Sequence, residues 1–206
     1  MGDSAEITHF MDLKACDPAQ VVLRTGCRFD REQNQYEVRI WGHPYIVDLD
    51  EHKIYPKNSQ TVADYALMDL FILYFLMKSK NLPVSGQWVS EKDIPGGAGF
   101  FRGPHTIPTD LLAKRFSDDL VVFAGVCKKL GGEKLNLADA SFSFSITPLI
   151  PVAVLYWKGD EDFPGQVKLL FDKTIQDHLP LDIIFCLACA ICYRIAKTPA
   201  DSKQII

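Results

Sequence analysis

Apolar and polar positions change period several times along the chain, and each change marks an element. The segment from Ser4 to about Ala15 reads as a first short helix. Asp17-Pro18 then opens AQVVLRT, and Gly26 follows it. An aspartate cap, a proline in the first turn and a glycine past the end punctuate a second helix. From Tyr36 the period drops to two, with Tyr36, Val38 and Ile40 alternating with Glu37 and Arg39 as in a half-buried strand. Trp41-Gly42-His43-Pro44 reads as a turn and Tyr45 to Leu49 as the next strand. Asp50-Glu51-His52 turns again before Lys53-Ile54-Tyr55, which predicts a three-stranded antiparallel meander.

Thr61 with Asp64 resembles a capping box for a helix reaching about Lys80. From Leu70 onward this helix is apolar nearly all round, which predicts burial at the centre of the fold. Pro108 to Arg115 reads as a short helix. Ser117-Asp118-Asp119 caps another, which stops at Leu130 before Gly131-Gly132. Ser141 to Ile146 alternates cleanly, and Ile150 to Trp157 is continuously apolar, as in a central strand covered on both faces. Val167 to Phe171 is a further strand. Pro180 and Asp182 open the last helix, which runs to about Lys197 and leaves a frayed tail. Strands and helices come in blocks, so the expected class is α+β, with largely antiparallel sheet packed against the central apolar helix and a C-terminal helix. The 206 residues read as one domain. Its parts are the N-terminal helices and meander (1–56), the central helix and the loop after it (57–107), and the remaining helices and strands (108–206).

That loop is the most informative stretch. Residues 83–103 read PVSGQWVSEKDIPGGAGFFRG, with five glycines and Trp88, Phe100 and Phe101 among them. Glycine admits positive φ and close approach of another group, and large aromatics need a surface to pack on. Long irregular segments inside compact domains are functional or disordered, and this one is too aromatic for disorder. Contact with a ligand and packing of the loop on itself are equally weighted for Phe100 and Phe101. Gly96-Gly97-Ala98-Gly99 lacks the lysine and following helix of a phosphate cradle, and His105 nearby reads as a structural or exposed histidine.

Composition narrows the partners. Hydrophobic residues make up 48% and charged residues 23%, enough to build a core without metals or disulfides. A net charge of −4 offers no basic footprint for nucleic acid. The long apolar runs, Leu70 to Met77 and Ile183 to Tyr193, are far short of the roughly 20 residues that span a bilayer. MGDSAEITHF has neither the charged nor the apolar region of a secretory signal, so the expectation is a soluble cytoplasmic protein with reduced thiols.

Cys186, Cys189 and Cys192 match the spacing of the first part of a ferredoxin cluster run, but the fourth cysteine and its proline are missing. The surrounding IIFCLACAICYRI is an apolar helix, on which three thiols cover about a third of the circumference and can pack as small hydrophobes. Core packing therefore outweighs metal binding, because cluster loops wrap their metal and a regular helix does not. In Lys158-Gly159-Asp160-Glu161-Asp162-Phe163-Pro164, three successive carboxylates could bind a hard cation, although a solvated turn is the favoured reading.

The combination LPVSGQWVSEKDIPGGAGFF, LLAKRF, LGG, IPVAVLYWKGDEDFP and LLFDKT…HLP resembles a bacterial and archaeal family catalogued as domain of unknown function three-seven-eight-six. The resemblance covers roughly residues 15 to 197. It implies a protein of the kind found mostly in anaerobes and labelled as an iron–sulfur protein, a label belonging to relatives with an added cysteine-rich region. This sequence carries only Cys16 and Cys27 toward its N-terminus, and its Cys186–Cys192 helix departs from the leucine-rich helix of the family. The site-forming positions that the resemblance implies are Ser85, Gly86, Trp88, Gly96, Gly97, Gly99 and Phe101, joined by Arg115, Trp157, Asp160, Glu161, Phe163 and Asp172.

Three functions follow as expectations. The first is a small-molecule or cofactor-binding accessory protein of anaerobic metabolism. Trp88, Phe101 and Trp157 would wall its apolar pocket, and Asp160, Glu161 or Arg115 would anchor a polar group. The second is an interaction module that docks on a metalloenzyme through exposed aromatics. The third is an enzyme using a metal held by Asp160, Glu161 and Asp172. No residue pattern identifies a reaction or a particular cofactor.

Overall fold

The computed structural model describes residues 3–58 and 66–200. The Thr61–Asp64 capping box and the last six residues of the tail lie outside the described residues. Helix α1 spans Asp3–Lys14 and α2 spans Pro18–Thr25. Asp17 caps α2 by accepting from the Ala19 N–H at 3.0 Å. Gly26 closes the helix at φ 69°, a left-handed conformation, and its N–H donates to the Val22 carbonyl.

Strands β1 (Arg28–Asp30), β2 (Gln35–Ile40), β3 (His43–Asp48) and β4 (Lys53–Pro56) form an antiparallel sheet in sequence order. The expected meander is present, with β1 added at its edge. Three residues are too few to display a period, which is why β1 escapes the pattern. Trp41 (φ 49°) and Gly42 (φ 78°) alone make the hairpin turn, while His43 and Pro44 already belong to β3. Positive φ at both central residues matches the right-handed twist of the strands. The tryptophan pays for it with buried contacts: its Nε1 donates to the Leu130 carbonyl at 2.8 Å and its ring meets Phe144 at 5.0 Å. The Trp41 N–H also donates to Ile146 at 2.7 Å and ties this sheet to the second one.

The second sheet holds β5 (Trp88–Val89), β6 (Glu133–Leu135), β7 (Ala140–Thr147), β8 (Ile150–Trp157) and β9 (Gln166–Asp172), in the order β5-β9-β8-β7-β6. Every described pairing is antiparallel. The continuously apolar β8 is the central strand, as its composition predicts, and five of its successive side chains from Val152 to Tyr156 are buried. Helix α3 (Ala66–Lys78) packs on α1, α2 and α8 (Leu181–Lys197). The short α4 (Gly97–Phe100) lies within the glycine-aromatic loop. Helices α5 (Asp110–Phe116) and α6 (Leu120–Lys129) cover β9 and β7 respectively, and α7 (Ile175–His178) leads into α8. Phe71 and Phe75 of α3, Phe142 of β7, Val154 of β8 and Ile184 of α8 belong to one apolar cluster. Burial of each such side chain contributes about 1.5–3 kcal/mol. The architecture is α+β with antiparallel sheets, as expected, and the central and C-terminal helices pack on each other.

Candidate functional site

The loop after α3 is tied down at its start by one carboxylate. Asp172, at the C-terminal end of β9 and 2% exposed, accepts from the Ser85 N–H (3.1 Å), the Ser85 hydroxyl (2.9 Å) and the Gly86 N–H (2.7 Å). On its own strand end it accepts from the Thr174 N–H (3.0 Å) and hydroxyl (2.7 Å). Burial pushes this carboxyl up, but the donors from Thr174 and Ser85 outweigh it and bring it down to about 2. The staple lets Trp88 and Val89 pair with Asp172 and Phe171, so the loop begins as a fifth strand on the sheet.

Beyond it, the Ser90 N–H and hydroxyl both donate to Asp93, which draws the Asp93 carboxyl below its ordinary range. Ile94 enters the core, and the Gly97 N–H donates to its carbonyl at 2.7 Å. A Cβ at Gly97 would collide with the Glu91 carbonyl, and Gly96 sits at φ 79° against Leu181. Gly99 has open space around its Cα. Two of the three glycines are therefore required by the turn and its packing.

The two phenylalanines divide the roles that sequence left open. Phe101 is 6% exposed and fills the core, whereas Phe100 is half-buried and meets Phe101 edge-on at 5.1 Å. Phe100 stacks on His105 with centroids 4.4 Å apart, and His105 meets Phe185 of α8 edge-on at 5.4 Å. Ile94, Pro95 and Phe100 form one wall of an open groove of about 780 Å³. Leu179, Pro180 and Leu181, between α7 and α8, form the other wall, and Gln176, Asp177 and Asp182 supply its polar groups. Lys80 pairs with Asp177 at 3.1 Å. None of the ion pairs among the described residues involves Asp182. Three other hollows, of about 240, 620 and 260 Å³, are smaller.

The remaining expected site residues lie elsewhere. Trp157 pairs with Gln166 at the start of β9, six residues before Asp172, so about 20 Å of strand separates the 158–164 turn from the loop. Trp157 therefore walls no common pocket with Trp88 and Phe101, and the Lys168 ammonium lies 5.7 Å from its ring centroid instead. Asp160 accepts from the Asp162 and Phe163 N–H groups at 2.9 and 2.8 Å and shapes its own turn. Asp160 and Glu161 do not meet Asp172, whose oxygens are in any case taken by the loop. Among the described residues no group of three or more His, Cys, Asp and Glu side chains is arranged to hold a metal ion. Arg115 is exposed, with its Nε donating to the Ala196 carbonyl at the end of α8. Cys189 and Cys192 are buried in α8. Burial raises all three thiols of that helix, Cys189 to about 11, which disfavours the thiolate that a metal needs.

Sequence reasoning missed the α7–α8 side of the groove. Its only signal was the HLPLD segment, where Pro180 and Asp182 mark a helix start and nothing marks a wall.

No helix among the described residues is long and apolar enough to cross a membrane. A family model described as Domain of unknown function (DUF3786) matches residues 17–194. No curated protein and no solved structure matches the chain.

Proposed function

The chain belongs to this family of unknown function, and from the groove beside its glycine-aromatic loop we propose that it is a small-molecule- or cofactor-binding protein. The observation that carries the reading is a groove of about 780 Å³ in which two apolar walls face each other beside a few polar side chains. That volume lies within the range of small-ligand pockets, which combine apolar lining with a few polar groups that fix orientation. Phe100 is backed by His105 and Phe101, so its ring is held in place for stacking against a flat ligand. Asp177 and Asp182 accept hydrogen bonds and carry negative charge, and Gln176 can both donate and accept. The ligand class is therefore a flat heterocycle that is neutral or cationic and bears hydrogen-bond donors. Phosphorylated ligands are disfavoured by the same carboxylates.

Thermal-shift titration tests this with a panel of flavins, tetrapyrroles, corrinoids and nucleosides, each beside its phosphorylated or more acidic counterpart where one exists. The expected result is stabilisation by a neutral or cationic member, lost in Phe100→Ala and weakened in Asp182→Asn. No shift with any member, or a shift that Phe100→Ala leaves unchanged, overturns the assignment.

A further inference from the structure

The opposite end of the five-stranded sheet has a different chemistry, and three loops are joined there. The Lys158 N–H donates to Asp139 at 2.8 Å, and the Gly159 N–H donates to Asp118 at 3.2 Å. Gly159 and Gly165 leave room for the Asp118 carboxylate, where a Cβ on either would crowd it. The Tyr156 hydroxyl accepts from the Asp118 N–H at 3.1 Å and fixes the same corner from below. These bonds bring the start of α6, the β6–β7 connection and the β8–β9 turn to one end of the molecule.

Each of the three segments exposes a large apolar side chain: Val121 at 81%, Leu137 at 45% and Phe163 at 72%. Exposed carboxylates surround them, namely Asp119, Asp139, Asp160, Glu161 and Asp162. None of the ion pairs among the described residues involves these five. Scattered apolar residues on a surface mean little, but several gathered in one region mark an interaction site. A phenylalanine at a hydrogen-bonded hairpin tip is also the residue type and setting of an interface anchor.

We infer that this sheet end is a docking surface for a protein partner that offers an apolar recess rimmed by arginine and lysine. Charge selects this occupant. A second copy of the chain docked by the same face would set carboxylates against carboxylates, which a symmetric interface cannot avoid. Nucleic acid and anionic membrane are repelled for the same reason. A basic rim would meet the acidic one while Phe163, Val121 and Leu137 enter the recess. The groove beside Phe100 lies at the other end of the sheet, so both sites can be occupied at once.

The experiment is a two-dimensional amide NMR titration of the full chain with an amphipathic helical peptide of leucine and arginine, beside a matched peptide of leucine and glutamate. The expected result is shifts confined to residues 117–121, 137–139 and 157–165 with the basic peptide only. Affinity should fall about tenfold in Phe163→Ser, as for an interface anchor. It should also fall in the double variant Glu161→Lys/Asp162→Lys, with loss of its salt dependence. All these positions are exposed, so the variants keep the fold. Absence of shifts, shifts mapping to the groove, equal binding of the acidic peptide, or affinity untouched by the substitutions each overturns the inference. So does sedimentation showing self-association that Phe163→Ser abolishes, which would give the surface to a second copy.

Discussion

Replacing Asp172 by asparagine removes the charge that holds the glycine-aromatic loop to β9. The carboxylate accepts from Ser85, Gly86 and Thr174 at 2.7 to 3.1 Å, and its carboxyl lies at about 2 against an ordinary 3.8. A gap of nearly two units corresponds to about 2 kcal/mol of preference for the charged form in the folded chain. Asparagine keeps the shape but turns an N–H₂ toward a set of donors, so Asp172→Asn should lose about 2–3 kcal/mol. Asp172→Ala, which leaves the Ser85, Gly86 and Thr174 amides without their acceptor, should lose more. The sign with pH follows from the lowered folded value. The contribution is complete above the unfolded value of about 4 and disappears as pH falls toward about 2. Urea unfolding at neutral pH and along an acid series measures both effects, and amide exchange across 85–89 should accelerate in the variant. An Asp172→Asn chain within about 0.5 kcal/mol of the wild type, or one with the same acid slope, would refute the reasoning.

Two further outcomes follow from other buried groups. His178, 1% exposed, is lowered below its ordinary value by burial, and its Nδ1 accepts from the Lys80 N–H at 3.3 Å, a bond that protonation of Nδ1 would break. Because the unfolded chain takes up that proton first, stability should be complete above about pH 6.5 and decline below it, and His178→Gln should flatten that decline in acid-series unfolding. Cys192 is fully buried while Cys186 is half-exposed, so Cys192→Ser should cost about 1–3 kcal/mol and Cys186→Ser much less, as read by thermal or urea unfolding; equal effects would count against thiols acting as packing.

The elements that could be read ahead of the fold are those whose signals are local. Asp17-Pro18 and Gly26 bracket α2 because caps act on neighbouring amides. Strand β8 declares itself by an apolar run, since a strand covered on both faces has no polar side. On α8 the regular helix spreads its thiols along one side, so that Cys189 and Cys192 are buried while Cys186 is half-buried. The two-residue β5 has no period to display and exists only because Asp172 and Lys173 hold its flanks from across the sheet. Phe100 and Phe101 are identical neighbours in sequence, yet one fills the core and the other lines the groove.

Periodicity, caps and turn residues therefore settle the class and the order of most elements, because each depends on residues a few positions apart. Which surfaces face that loop depends on strand order and register. The extended length of β9 carries the 158–164 turn away from Trp88, and the α7–α8 connection closes the groove in its stead. That exchange of walls is a long-range consequence of antiparallel pairing, for which no stretch of neighbouring residues carries a mark.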